Sequence, residues 1–385
     1  MQTPSSSEPH IEPHWQPGET GFLIQPGPLC DLSAAAPLLP PESAAHIEDA
    51  AAHLPQWITA GTVRAELERL PLWQPDGAAL ATIDGRAIER LFMLYGYFAS
   101  AYILSPPHQH DHLPPTLAVP LAALAQHVGR PPMLSYTAQV LTNWRLRDPA
   151  QGLTPDNIDV QVRFTTLEDE RWFFAVHTSI EARGGALLQA LRQGMWAAAD
   201  QDEAAALKSL RQLQRGLIDI TRLFHRMPEH CEPRTYYLQV RPFLFGFDGV
   251  RFDDVPALAE PQTLRGGSGA QSSLVPALLA GLGVDHAQTA LTHHLNAMHP
   301  YMPRAHREFI RYLRQSTLRE YARQRLALRH EYNNALQRLM TFRRAHLHYA
   351  RTYIFALSSE SRGTGGTDFM RFLSQLIEET DHNKL

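Results

Sequence analysis

Thr341-Phe342-Arg343-Arg344-Ala345-His346-Leu347-His348-Tyr349-Ala350-Arg351-Thr352-Tyr353-Ile354 lies near the end of a run, Arg304 to Arg362, that contains neither glycine nor proline. With both strong breakers absent, the run is free to be long helix. At 100° per residue, Leu336, Leu339, Met340, Leu347, Ala350 and Ile354 fall on one arc, which Phe342, Tyr349 and Tyr353 widen. His346 lies inside that apolar arc, whereas His348 points the other way, among Thr341, Arg344 and Thr352. One imidazole is aimed at the core and its near neighbour at solvent.

A histidine facing the core from a helix has two readings. It is a buried neutral ring hydrogen-bonded to a carbonyl, or an axial ligand held by one helix against a large apolar haem pocket. The segment alone does not choose between them.

Working outward, 385 residues are enough for two domains, or for one large domain with a smaller companion. Hydrophobic content of 44% and charged content of 19% fit a soluble globular protein. A formal charge of −4 supports no nucleic-acid partner and no acidic membrane surface, either of which needs a basic face. Cys30 and Cys231 are too few for a disulfide framework or a thiolate metal site, and suit a reducing cytoplasm. Met1 to His10 lacks the features of a secretory signal. The apolar stretch Leu274 to Val284 is broken by Pro and Gly, well short of the roughly 20 residues that span a bilayer. A cytoplasmic protein is expected.

Residues 1–19 read as a mobile Pro-, Ser- and Glu-rich tail, 20–160 as a small N-terminal domain, and 161–385 as a large helical domain. Helical patterns cover His46 to Ala60, Val63 to Leu70, the apolar Ile88 to Leu104, Leu117 to Val128, Met133 to Trp144 and Gln189 to Phe224, the last interrupted near Gly216. Arg147 to Asp156 reads as a linker. Val160 to Thr166 and Trp172 to Glu181 alternate like strands, although the second also suits a helix start. His108, His110 and His112 share a Pro-flanked loop that reads as solvated, with metal binding as its sharper alternative. The fold class is mainly α.

Two glycine-rich loops stand out. Arg265-Gly266-Gly267-Ser268-Gly269-Ala270-Gln271-Ser272-Ser273 has no Lys-Ser/Thr for a phosphate cradle, and Ala270 stands where a hydrolase elbow needs glycine. Close backbone approach to a planar ligand stays open. Gly363-Thr364-Gly365-Gly366-Thr367-Asp368-Phe369-Met370 is a linker into a last helix, or a lid that brings Thr367 over a pocket.

Arg130-Pro131-Pro132-Met133-Leu134-Ser135-Tyr136 leading to Leu141-Thr142-Asn143-Trp144, Gly266 to Ser273, Tyr301-Met302-Pro303-Arg304-Ala305-His306-Arg307, Arg343 to Ile354, and Gly363 to Met370 resemble, in order, the signatures of the indoleamine 2,3-dioxygenase family. The resemblance runs from about Gly21 to Leu376. It implies a small helical N-terminal domain capping a large all-helical domain, with haem b as cofactor, O2 as co-substrate and a separate electron donor to reduce the haem. The reaction it implies opens the indole C2–C3 bond of L-tryptophan to N-formylkynurenine, the entry to the kynurenine pathway.

Residue by residue, His346 matches the proximal iron ligand, and Arg343, one turn earlier, suits a haem propionate. Arg241 matches the arginine that holds the substrate carboxylate. Tyr236 and Tyr237 stand where the family has phenylalanines, and bring two hydroxyls. Ser268, with Gly267 and Gly269 beside it, matches the loop beneath substrate and cofactor, Thr367 the lid threonine, and Tyr136 and Phe173 the pocket walls. His177 departs from a distal serine in the mammalian enzymes. It resembles the distal histidine of tryptophan 2,3-dioxygenases, an acceptor for the indole N–H or a partner for O2. These departures keep one alternative, a haem oxygenase acting on a modified tryptophan or other indole; a non-catalytic haem-binding sensor is a farther one, against which the arginine clamp and lid loop argue.

Overall fold

The computed structural model describes residues 12–287, 289–358, 364 and 369–385. Helices dominate, and the long ones form where the sequence offers apolar faces and good caps. Asp84 and Asp202 accept the first free N–H groups of Gly85–Leu104 and Glu203–Phe224, at Arg86 (2.9 Å) and Ala205 (3.0 Å). From Ala87 to Leu104 every residue of the first of these is buried, as its near-continuous apolar run requires.

Two of the expected elements take another form. Trp172 to Glu181 belongs to a 32-residue helix, Glu168–Ala199, which opens on Glu168, Asp169 and Glu170. Val160 to Thr166 pairs with no strand. The N–H of Val162 goes to Asn143 Oδ1 (2.9 Å), and those of Phe164 and Thr165 go to the Glu170 carboxylate (2.9 and 2.7 Å). Side chains therefore take the hydrogen bonds a sheet would have taken. Met133 to Trp144 holds only a wide π-helical turn at Thr137–Leu141. The helix break expected near Gly216 falls instead between Ala199 and Glu203.

The breaker-free run after Arg304 divides into Arg304–Leu313, Leu318–Arg323 and Leu326–Ala350. Ser316 Oγ accepts the Leu318 N–H (3.3 Å), so a local side-chain bond restarts the chain where no proline stops it. Leu326–Ala350 continues through a π turn, Arg351–Phe355. Sheet is confined to short pieces: His112–Leu113 runs parallel to Phe247–Phe252, which pairs antiparallel with Gln262–Leu264. Arg145–Leu146 and Ile158–Asp159 form a hairpin, so Arg147 to Asp156 is its loop.

One buried apolar cluster extends from Trp15 to Tyr353. The described part of the N-terminal segment is docked on it, with Trp15 2% exposed and its indole N–H donated to Glu89 Oε1 (3.0 Å). Gly21 (φ +66°) and Gly185 allow this segment to lie directly on the Glu168–Ala199 helix. A Cβ on Gly185 would collide with the Glu19 carbonyl, and one on Gly21 with the Glu181 carbonyl. Among the described residues no helix is long and apolar enough to cross a membrane.

Candidate functional site

Leu326–Ala350 turns Leu336, Leu339 and Met340 fully inward, and one turn later its apolar arc lines a cavity. The cavity there has a volume of about 290 Å³ and opens through a wide mouth. Phe342, His346, Tyr349, Ala350, Tyr353 and Ile354 make one wall. Facing them are Phe173, Phe174 and His177 of the Glu168–Ala199 helix, with Tyr136, Gln139 and Val140. Gly267, Ser268 and Gly269 border it, as do Tyr236 and Thr364. His348 is exposed, so the periodicity separates the two imidazoles correctly.

Burial, with His177 and Arg343 nearby, pushes the His346 pKa down to about 4, so its ring is neutral and keeps a lone pair for a metal. His177 donates Nδ1–H to the Phe173 carbonyl (2.8 Å), which leaves Nε2 as an acceptor. Burial lowers its pKa as well. Phe224 touches both rings, at 6.1 Å from His177 and 5.9 Å from His346. Phe173 lies between His177 (4.5 Å) and Tyr236 (4.5 Å, stacked). The Tyr236 hydroxyl has no hydrogen-bond partner among the described residues, although Tyr236 is 6% exposed.

Arg343 is buried beside His346 and donates through Nη1 to the Leu376 carbonyl (2.5 Å) and to Thr380 Oγ1. Desolvation pushes its pKa down to about 10, still a cation at neutral pH. Arg241 and Tyr237 are not among the described residues lining the cavity. The Arg241 guanidinium lies over the rings of Tyr237 (5.2 Å) and Phe245 (4.6 Å). Thr367 lies outside the described residues. Thr364 of the same loop donates its hydroxyl to the Gly267 carbonyl (2.7 Å) and lines the cavity.

A hydrogen-bond net ties the glycine loop to the walls. Gln271 accepts the Tyr136 N–H (2.9 Å) and donates to the Gly266 carbonyl (3.0 Å). Glu181 Oε1 accepts from Tyr136 Oη (2.9 Å) and Ser272 Oγ (2.5 Å), while its Oε2 has no partner among the described residues. Burial raises the Glu181 pKa from 4.5 to about 7. A Cβ on Gly267 would meet the Gln139 amide, the far end of a side chain that would have to swing aside. Sequence reasoning missed Gln139, Glu181, Phe224 and Thr364. Of these, only Thr364 stood in a segment already suspected.

A family profile described as indoleamine 2,3-dioxygenase matches residues 17–383. The chain belongs to the indoleamine 2,3-dioxygenase family. Mouse indoleamine 2,3-dioxygenase 1 is 30% identical over 96% of this chain and 95% of its own. The indoleamine 2,3-dioxygenase of Saccharomyces cerevisiae is 29% identical over 96% and 91%, and the acdA enzyme of Aspergillus candidus 30% identical over 81% and 84%. Indoleamine 2,3-dioxygenases are haem-iron dioxygenases that use O2.

The cavity fits that cofactor. It offers a neutral imidazole on an apolar wall, a buried guanidinium one turn away, and no carboxylate among its described lining residues. The other family-like motifs hold the scaffold. Arg130 pairs with Glu89, Asn143 donates to Tyr97 (2.7 Å) and Val162 (2.8 Å), and His306 meets Ser273 (3.2 Å), Trp15 and Phe22.

Proposed function

We propose that this indoleamine 2,3-dioxygenase takes L-tryptophan as its substrate and releases N-formylkynurenine. The observation that carries the reading is the placement of His346 and His177 on one apolar cavity, each neutral and each in contact with Phe224. Haem bound there supplies the iron that activates O2. His346 would hold the iron, and Arg343 and the Gly267–Ser268 loop would hold the rest of the group.

On the substrate side, Tyr136, Phe173 and Tyr236 wall the indole, and His177 Nε2 accepts its N–H, which orients the C2–C3 bond. The indole N–H stays in place, so no strong base is required. Arg241 takes the substrate carboxylate, and Ser268 borders the amino-acid end. Phe173, Phe174 and Phe224 keep water from the reacting atoms.

The test is purified, haem-loaded, reduced protein with L-tryptophan under air, with mass spectrometry of the product. A gain of both O2 atoms supports the reading, and a single-atom gain or unchanged tryptophan overturns it. Arg241→Leu raises KM for tryptophan and leaves indoles lacking a carboxylate unaffected; an equal effect on both makes Arg241 structural. A second reading, a ring- or side-chain-modified tryptophan, is favoured by the unpartnered Tyr236 hydroxyl, and a substrate panel on Tyr236→Phe separates the two.

A further inference from the structure

His294 is left over when the haem reading has used its residues. It lies on the Ala290–Met298 helix, is 6% exposed, lines the cavity, and sets its ring 5.8 Å from Phe372. Arg265 donates from Nη1 to His294 Nδ1 (3.4 Å). That bond puts the remaining ring proton on Nε2. Burial and Arg265 together push the His294 pKa down to about 4, so the ring stays neutral. An arginine charge is thereby relayed through a neutral imidazole to an N–H donor.

The Phe369–His382 helix connects this pair to Arg343. Phe372 touches His294, and one turn on the Leu376 carbonyl accepts from Arg343. Leu373 and Leu376 line the cavity between them. The nearby carboxylate, Glu379, is engaged by His286 Nδ1 (2.5 Å) and is not among the described lining residues. Haem b carries two carboxylates. Arg343 is the one Arg or Lys among the described lining residues, so a second carboxylate would find no charged partner there.

We propose that Arg265 and His294 form a second carboxylate clamp, which holds one haem propionate while Arg343 holds the other. The proposal rests on the haem reading above. His294 is a positioning residue for the cofactor, and Arg265 acts through it.

The test compares wild type, Arg265→Leu and His294→Phe, each loaded with haem b or with haem dimethyl ester, whose propionates are masked. Loss to excess apomyoglobin is followed in the Soret band. Arg265→Leu spares the backbone N–H that Tyr301 Oη accepts (2.8 Å), and His294→Phe keeps a ring on Phe372. Both variants release haem b about tenfold faster than wild type, the worth of one charge-assisted hydrogen bond. All three release the diester at one rate. A variant effect of the same size with the diester means a packing role and overturns the clamp, as does unchanged haem b loss. Wild type releasing diester no faster than haem b also overturns it, whether or not the variants fold. The Soret signature of histidine-bound haem, lost in His346→Ala, reports separately on the haem reading.

Discussion

Each functional side chain here is set by the partner on its far side. Because the Phe173 carbonyl takes His177 Nδ1–H, the cavity sees an acceptor at Nε2 and not a donor. His177→Ala is expected to lower kcat about tenfold, the worth of one hydrogen bond, with haem and substrate still bound. Complete loss of turnover in that variant would make His177 a proton carrier. Glu181 offers a pH test. Its folded pKa, about 7, lies above its ordinary 4.5, so the folded state keeps a proton that the unfolded chain has released. Stability from this group is full below about pH 4.5 and is lost as pH rises through 7. Glu181→Gln keeps an acceptor for Tyr136 and Ser272 and has no proton to lose. Chemical denaturation from pH 4.5 to 7.5 is expected to show a steeper decline in wild type than in Glu181→Gln, and parallel curves would refute the assignment.

At the scale of elements, the Glu168–Ala199 helix does two jobs. Its first turns deliver Phe173, Phe174 and His177 to the cavity, and its middle accepts the N-terminal segment at Gly185. Gly185→Ala puts a methyl into the Glu19 carbonyl and is expected to destabilise the fold by about 1–3 kcal/mol. Urea unfolding measures this, and an unchanged midpoint would mean that the segment is not held there. The alternation from Trp172 to Glu181 suited strand or helix equally, since a ten-residue window buried on nearly all sides carries little period. Length settled it. The wide turns at Thr137–Leu141, Tyr236–Val240 and Arg351–Phe355 were illegible for another reason: a π turn is one added residue, and no side-chain pattern marks it.

For the whole molecule, the cavity takes Tyr136, Gln139 and Val140 from the chain before residue 160 and its other walls from the chain after it. A ligand that fills such a space binds the folded chain and not the unfolded one, so it raises the melting temperature by mass action. Haem titration is expected to stabilise wild type progressively and to leave His346→Ala nearly unmoved. Equal stabilisation of both would remove His346 as the ligand.

The sequence by itself determined the helical class, the inward His346 and outward His348, and the suspicion attached to both glycine loops. Those follow from local rules: helical period, absent breakers, and the close approach that glycine permits. Only the tertiary structure decided which motif residues reach the cavity and which hold the scaffold. Tyr136 and Arg130 are six positions apart in one signature, yet one walls the cavity and the other is spent on Glu89. The structure alone also brought Arg265 to His294 across 29 residues, and Glu181 to Ser272 across 91. Such pairings depend on how helices pack, and a buried polar group takes whichever partner that packing supplies.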